Sequence, residues 1–262
     1  MKLGKIGIIG LGNMGTAIGR SLKGSSVAGY DIRPAAKRAA SRSGITPVKD
    51  SRELVRKSRI VILAVKPQEM KEVLGNIKDA VTARHLLVSI AAGVSTRFIE
   101  KAVGKARVVR VMPNIALTAG RGAAAVCRGK RASRKDELAV KEIFRRSGKV
   151  FTVAEKHINA VTALSGSGPA YFFEIIEYLV KSACGLGLDR KTCKELAIQT
   201  AKGAVALLEM TGKEPEELRD MVTSKKGTTA EALKVLRKHR LGSILDKAVK
   251  AAWKRAGQLS VA

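Results

Sequence analysis

Short apolar runs and helix-like stretches alternate along the first part of the chain. The apolar runs recur at intervals of roughly 20 to 30 residues and are bounded by Gly, Asp, Lys or Pro. They cover Lys5–Gly10, Ser26–Ile32, Arg59–Val65, His85–Ala91, Ala106–Met112, Gly122–Arg128 and Lys149–Val153. Because helical stretches separate them, such runs are typical of buried strands in a parallel sheet. The pattern predicts a doubly wound α/β domain.

After Val153 the pattern changes to helical spacing. Apolar residues recur with helical periodicity from Phe172 to Ala183, which predicts an amphipathic helix that starts near Pro169. Asp189 is a suitable N-cap for a second helix, which would run to about Met210. Shorter helices are predicted over residues 215–221, 228–239 and 241–258. We therefore predict a dinucleotide-binding domain over residues 1–154 and an all-helical domain over residues 155–262.

The segment GLGNMG, from Gly10 to Gly15, matches the GxGxxG pattern of dinucleotide-binding turns. It follows the first predicted strand directly and opens a predicted helix, which is the context that the pattern requires. Gly10 permits the tight turn, Gly12 lets the backbone approach a pyrophosphate, and Gly15 lets the helix pack on the strand. The expected cofactor-binding residues of this turn are Ile9, Gly10, Leu11, Gly12, Asn13 and Met14.

The choice between NADH and NADPH stays open at this point. Asp31 ends the second predicted strand, where a carboxylate can accept hydrogen bonds from the adenosine ribose of NADH. Arg33, Lys37 and Arg38 follow it and could hold the 2′-phosphate of NADPH instead. We take Asp31 and Arg33 as cofactor-binding residues.

Charge is the unusual feature of the composition. The 262 residues include 50 Lys and Arg but only 22 Asp and Glu, a formal net charge of +28. Such an excess attracts nucleic acids and other anions. However, aromatic residues make up only 3% of the chain, and the densest basic segment, Arg128–Lys135, has none for base stacking. A solvated basic surface is the preferred interpretation, with a nucleic-acid-associated protein on the same scaffold as an alternative.

Several other classes of chemistry lack their usual residues. The three His and three Cys residues show no spacing typical of a metal site or a disulfide scaffold, which fits a reducing cytoplasm. No nucleophile elbow, P-loop or membrane-spanning run is present in the sequence. Hydride transfer needs few protein groups because the cofactor supplies the chemistry. The sequence therefore favours a cytoplasmic NAD(P)H-dependent oxidoreductase without a metal.

Further motifs carry a specific resemblance that spans essentially the whole chain. Besides GLGNMG, these are AVKPQ (Ala64–Gln68), SIAAGV (Ser89–Val94), RVMPN (Arg110–Asn114), VTALSGSGPAYFF (Val161–Phe173) and LRDMVTSKKGTTAEAL (Leu218–Leu233). In this order the chain resembles the pyrroline-5-carboxylate reductases, which catalyse the last step of proline biosynthesis. The resemblance implies a Rossmann domain followed by a helical dimerisation domain. It also implies reduction of 1-pyrroline-5-carboxylate to L-proline by NADPH or NADH.

The resemblance also implies roles for individual residues. Additional cofactor-binding positions would be Ala64, Val65, Lys66 and Pro67 beside the nicotinamide ribose, and Ile90, Ala91 and Ala92 beside the nicotinamide. The substrate carboxylate would lie on backbone N–H groups of the loop that contains Ser224, Gly227, Thr228 and Thr229. The hydroxyl of Thr229 would hydrogen-bond the ring nitrogen of the substrate and is the expected catalytic group.

The chain departs from the family pattern at two places. MPNTP becomes Pro113-Asn114 followed by Ile115-Ala116, and SPGGTT becomes a loop with Lys225-Lys226 in place of Pro-Gly. If the second of these positions needs a positive φ, Lys226 is strained. If it does not, the two lysines either face solvent or favour a more anionic substrate. A reductase of the same fold for a different imine or a β-hydroxy acid is therefore the alternative among enzymes.

Apolar stripes in the C-terminal part predict self-association. They cover Phe172–Ala183, Leu196–Leu208 and Ile244–Trp253, and no sheet is predicted there to cover them. Apolar stripes without a partner in their own chain are typical of an oligomer interface. We expect a homodimer with interleaved helices, or a larger assembly built from it.

Overall fold

The computed structural model describes residues 4–259 and contains one large sheet. Its strands are β1 Ile6–Ile9, β2 Val27–Tyr30, β3 Thr46–Pro47, β4 Ile60–Leu63, β5 Leu86–Ser89, β6 Arg107–Pro113, β7 Gly122–Arg128 and β8 Gly148–Thr152. They lie in the order β3-β2-β1-β4-β5-β6-β7-β8. The order reverses at β1, and this switch point is where open α/β sheets bind their ligands.

Six strands are parallel, and the last two run in the opposite direction. Strands β1 to β6 pair in parallel, whereas β7 is antiparallel to β6 and β8 is parallel to β7. The prediction of a wholly parallel sheet is therefore wrong for Gly122–Arg128 and Lys149–Val153. The link from β6 to β7 is a short 3₁₀ segment, Ile115–Ala119, which returns the chain beside β6 without a crossover helix. The prediction also missed β3, a two-residue, exposed edge strand.

The helices of the sheet region are α1 Asn13–Ser21, α2 Pro34–Ser41, α3 Ser51–Lys57, α4 Met70–Ile77, α5 Thr96–Val103 and α6 Arg134–Arg145. Alternate residues of each strand contribute to opposite faces of the sheet. Ile60 and Ile62 pack with α1, α2 and α6, while Val61 and Leu63 pack with α3, α4 and α5. Both faces are therefore covered, as a doubly wound domain requires, and the predicted fold class is confirmed.

The remaining elements are helical, as predicted. They are α7 Ile158–Val161, a π-helical turn Thr162–Gly166, α8 Gly168–Gly185, α9 Arg190–Thr211, α10 Pro215–Met221, α11 Thr228–Lys238 and α12 Leu241–Gln258. The carboxylate of Asp189 accepts hydrogen bonds from the N–H groups of Lys191 and Thr192, so the predicted N-cap of α9 is confirmed.

The chain divides into two compact units. One contains the sheet region up to Pro169 and the end of α12 from Ala251, and the other is the helical segment Ala170–Lys250. The predicted boundary between residues 154 and 155 stays a prediction, and residues 1–3 and 260–262 lie outside the described residues. In the helical unit many large apolar side chains are exposed, including Phe172, Phe173 and Leu179, which a self-associating surface would explain.

Candidate active site

The carboxyl ends of four neighbouring strands bring most of the predicted cofactor residues to one edge of the sheet. The turn from Gly10 follows β1, Asp31 follows β2, Ala64 follows β4 and Ile90 follows β5. These strands are adjacent in the order β2-β1-β4-β5, and they run in the same direction. The sheet topology therefore collects residues that are far apart in the sequence.

Two of the three glycines in the first turn, Gly10 and Gly15, leave no room for a Cβ. Gly10 has a φ of +95°, and a Cβ on it would lie 2.6 Å from the carbonyl oxygen of Ala64. A Cβ on Gly15 would lie 2.0 Å from the carbonyl oxygen of Gly10. By contrast, a Cβ on Gly12 would meet only the guanidinium of Arg33, at 3.9 Å. Gly10 and Gly15 thus close the turn against β4 and α1, while Gly12 leaves its outer side open.

A cleft of about 440 Å³ opens beside this turn. Among its lining residues are nine of the predicted cofactor residues: Ile9, Gly10, Gly12, Asn13, Asp31, Arg33, Ala64, Val65 and Lys66. Gly12 is the N-cap of α1 and has no side chain to occupy the first N–H groups of the helix. These groups and the positive end of the helix dipole favour a pyrophosphate at this position. The residues present therefore fit a dinucleotide.

The other predicted cofactor residues lie outside the lining of this cleft. Leu11 is buried and Met14 packs against the core, so both support the turn. Pro67 is the last residue of the AVKP turn and begins a 3₁₀ segment. Ile90, Ala91 and Ala92 follow β5 at the same edge of the sheet, and the N–H of Ile90 donates to the carbonyl of Leu63 at 3.1 Å.

Asp31 is buried and fully engaged by its neighbours. Its Oδ2 accepts the N–H of Leu11 at 2.8 Å and Nη2 of Arg33 at 3.0 Å. Its Oδ1 accepts the N–H and Nε of Arg33, at 2.9 and 3.0 Å. Burial acts to raise the pKa of Asp31, but the hydrogen bonds from Arg33 and Leu11 outweigh it and lower the pKa. The carboxylate is thus held ionised and screened by Arg33, whose side chain is 63% exposed.

The predicted substrate residues lie together in the helical unit, in the loop before α11. The N–H of Gly227 donates to the carbonyl of Ser224 at 3.1 Å, which closes a tight turn. Gly227 is the N-cap of α11, Thr228 and Thr229 are its first residues, and no side chain caps the helix. The first N–H groups of α11 have no acceptor within the helix, so this loop can hold a carboxylate.

Lys226 has a φ of +59°, the region that favours glycine. The family pattern has glycine at this position, and the structure shows that the turn keeps the conformation that glycine suits. Because this position has a positive φ, the backbone of Lys226 is strained. The side chains of Lys225 and Lys226 are both exposed.

Sequence reasoning missed two polar clusters near the RVMPN motif. Asn114 donates from Nδ2 to the carbonyl of Ser165 at 3.2 Å and accepts the N–H of Ala123 at 3.1 Å, so it ties the π-helical turn to β7. Arg110 is buried and donates to Glu155 at 3.3 Å, while Glu155 accepts the hydroxyl of Thr96 at 2.6 Å. The quoted motifs contained Arg110, Asn114 and Ser165, but their partners are distant in sequence.

The described residues lack two features, a metal site and a membrane-spanning helix. Between residues 4 and 259, no three His, Cys, Asp or Glu side chains are grouped so that they could hold a metal ion. No helix in the same range is long and apolar enough to cross a membrane. His85 is buried and hydrogen-bonded to Thr82 and Val55, which gives it a structural role just before β5.

Known proteins resemble both parts of the chain. Residues 155–259 match the family model described as pyrroline-5-carboxylate reductase dimerisation, and residues 5–93 match that of NADP oxidoreductase coenzyme F420-dependent. The pyrroline-5-carboxylate reductase of Methanosarcina acetivorans is 41% identical, with 97% of each chain covered. That of Pisum sativum is 35% identical over 97% of this chain and 96% of its own.

Solved structures that resemble the chain include members of the same family. Pyrroline carboxylate reductase of Plasmodium falciparum with NADP bound has a TM-score of 0.90 and 31% identity, with 100% of both chains covered. The Coxiella burnetii pyrroline-5-carboxylate reductase has a TM-score of 0.90 and 35% identity over 98% of each chain. A 3-hydroxyisobutyrate dehydrogenase of Mycobacterium tuberculosis shares the fold alone, at a TM-score of 0.55 and 17% identity. The chain is an NAD(P)H-dependent oxidoreductase and belongs to the pyrroline-5-carboxylate reductase family.

Proposed function

We propose that this chain reduces 1-pyrroline-5-carboxylate to L-proline with NAD(P)H and so serves proline biosynthesis. The observation that carries the proposal is the cleft beside Gly10 and Gly12, because its open glycine and uncapped helix suit the diphosphate of a dinucleotide. When bound, the cofactor supplies the hydride. The family relationship and the loop before α11 support the choice of a cyclic imino acid as the acceptor.

The residues of the chain would bind and orient the reactants. The turn of Gly10 and Gly12 would hold the pyrophosphate, the segment from Ala64 to Pro67 the nicotinamide ribose, and Ile90–Ala92 the nicotinamide. The N–H groups at the start of α11 would hold the substrate carboxylate, and the hydroxyl of Thr229 would hydrogen-bond the ring nitrogen. An iminium accepts hydride readily, so orientation is the main contribution expected from the protein.

We further propose that NADPH is preferred over NADH. Each oxygen of Asp31 already accepts two hydrogen bonds, and Arg33 supplies three of those four bonds. The ribose hydroxyls of NADH would have to displace Arg33 to reach this carboxylate. The largely exposed guanidinium can instead approach a 2′-phosphate. The solved Plasmodium falciparum relative is itself described with NADP bound.

The helical unit is proposed to form a homodimer through interleaved helices, in a protein that works in the cytoplasm. The family model that matches residues 155–259 is a dimerisation model, and the exposed apolar side chains of α8 and α9 support such an interface. All three cysteines are free, which suits a reducing compartment. Sedimentation at the mass of a single chain, at micromolar concentration, would contradict the dimer.

The reaction is tested by initial rates with purified protein. We expect oxidation of NADPH that depends on pyrroline-5-carboxylate and yields proline, and slower oxidation of NADH. Absence of imine-dependent oxidation of both nucleotides would refute the proposed reaction. A panel distinguishes the alternative enzymes. A six-membered cyclic imine with a carboxylate is assayed for oxidation of NADPH, and 3-hydroxyisobutyrate, which donates hydride, is assayed for reduction of NADP+.

A further inference from the structure

The sheet has a second concentration of charge at the edge opposite the dinucleotide turn. Lys5 directly precedes β1, Arg59 directly precedes β4, Arg84 lies just before β5, and Arg107 is the first residue of β6. These strands are parallel and adjacent in the order β1-β4-β5-β6. Their amino ends therefore place four cations in a row. At the usual strand spacing this row is roughly 14 Å long.

These cations line a cleft, which we name the basic cleft. It has a volume of about 510 Å³, within the range of small-molecule sites. Its charged lining consists of Lys5, Arg56, Lys57, Arg59, Arg84 and Arg107, and none of the described residues that line it is acidic. Arg56 and Lys57 belong to the last turn of α3. The basic cleft is thus open to solvent and carries six positive charges.

Intramolecular partners account for only part of this charge. Lys57 pairs with Glu53 at 2.6 Å, and Arg107 pairs with Asp136. Arg84 donates to the backbone carbonyl of Arg56 at 3.1 Å, which leaves its charge uncompensated. Among the described residues, Lys5, Arg56 and Arg59 form no salt bridge, and all three are exposed. Asp50 interacts with Arg56 only at longer range.

Like charges held this close repel each other, and a multivalent anion would relieve the repulsion. Guanidinium groups bind phosphate oxygens through paired hydrogen bonds, and lysines add point charges. No aromatic side chain lines the cleft, so it offers no platform on which a nucleic-acid base could stack. We propose that the basic cleft is a binding site for a short polyphosphate chain, either free or carried by a nucleotide.

The test is direct binding to the full-length protein saturated with NADPH, so that the dinucleotide cleft is filled. Tripolyphosphate should bind and raise the melting temperature, and added NaCl should weaken the binding. ATP should bind and AMP should bind far more weakly, and the tighter of ATP and tripolyphosphate identifies the source of the chain. A single-stranded oligonucleotide that binds when tripolyphosphate does not would overturn the proposal.

A double variant locates the site. Arg56→Gln with Arg59→Gln removes two unpaired charges and should weaken tripolyphosphate binding roughly ten- to hundredfold. The matched control is Arg97→Gln with Arg145→Gln, two exposed arginines outside the cleft, which should change binding less than about twofold. Equal loss of tripolyphosphate binding in both double variants would overturn the site. Unchanged binding in the Arg56 and Arg59 variant, with its reductase activity and melting temperature retained, would overturn it as well.

Discussion

Two helix N-termini in this molecule are capped by glycine, and they are built in different ways. Gly12 of α1 and Gly227 of α11 both have extended backbone conformations, and neither helix has a side-chain cap. Around Gly12, which is half-buried, the glycines at positions 10 and 15 are buried, and a Cβ on either would meet backbone atoms. Around Gly227 the loop is exposed, and Lys226 occupies a conformation that suits glycine.

The difference shows which constraint acts on each turn. In the first turn, a side chain on Gly10 or Gly15 would collide with backbone atoms of Ala64 or Gly10, so substitution at these two positions is costly whatever the conformation. In the second turn, the cost of Lys226 is local backbone strain, which a well-packed protein can tolerate. The first turn follows the common glycine pattern closely, and the second departs from it. The predictions below test this contrast.

The largest effect is expected from Gly15→Ala. The new Cβ would lie 2.0 Å from the carbonyl oxygen of Gly10 and 3.2 Å from the Cβ of Ala64. Overpacking of this kind costs about 1–3 kcal/mol. If the turn shifts to relieve it, the dissociation constant for NADPH should rise roughly 5- to 150-fold. Calorimetric unfolding and nucleotide titration measure the two consequences.

Gly75→Ala is the matched control for this change. Gly75 lies inside α4, is exposed, and has no atom within 4 Å of the position of its new Cβ. Alanine there should leave NADPH affinity unchanged and stabilise the fold by about 0.4–1 kcal/mol, because it restricts the unfolded chain. Equal behaviour of the two alanine variants would mean that the first turn is not constrained by packing.

The second prediction concerns Thr229 at the start of α11. Thr229→Ala should lower kcat/KM for pyrroline-5-carboxylate and leave NADPH affinity unchanged, because it would remove the proposed hydrogen bond to the charged ring nitrogen. Such a bond is worth about 1.5–3 kcal/mol, or roughly 10- to 150-fold in rate. Thr229→Ser keeps the hydroxyl and should retain most of the activity. Wild-type kcat/KM in the alanine variant would remove Thr229 from the site.

The third prediction tests the outer side of the first turn, where Arg33 screens Asp31. Arg33→Gln should raise KM for NADPH and free Asp31 for the ribose of NADH, so the ratio of kcat/KM for the two cofactors should shift roughly tenfold toward NADH. Arg42→Gln is the control, since Arg42 is exposed and lies outside the cleft lining. An unchanged ratio in the Arg33 variant would show that Arg33 does not select the nucleotide.

The sequence predicted the elements better than it predicted their directions and contacts. Continuous apolar runs located β1, β2 and β4 to β8, and helical periodicity located the long helices, because burial imposes both patterns. It could not show that β7 is antiparallel, since a buried run such as Gly122–Arg128 reads the same in either direction. It missed β3 because Thr46-Pro47 is exposed and buries no apolar face.

The candidate site also has one feature that the sequence predicted and others that it could not predict. The GLGNMG pattern located the dinucleotide turn because sterics require its glycines at fixed spacing. The screening of Asp31 by Arg33 could not be read from the sequence, because it depends on how one arginine side chain folds back. The contacts of Asn114 with Ser165 and Ala123 depend on tertiary packing between separate segments.

The smallest effect is expected from Lys226→Gly, and it concerns strain alone. A positive φ costs a non-glycine residue about 1–2 kcal/mol, and the greater freedom of glycine in the unfolded chain takes back roughly 0.4–1 kcal/mol. The net gain of about 1 kcal/mol or less should raise the melting temperature by at most roughly 2–4 °C at fixed protein concentration. Lys225→Gly is the matched control, because only Lys226 and Arg240 have a positive φ among the described non-glycine residues. It removes the same charge from the same loop without relieving strain, so it should leave the melting temperature unchanged or lower it. Arg240→Gly, at a φ of +53°, should behave like Lys226→Gly. A melting temperature that rises equally in both lysine variants would assign the effect to charge and remove strain as the distinction between the two turns.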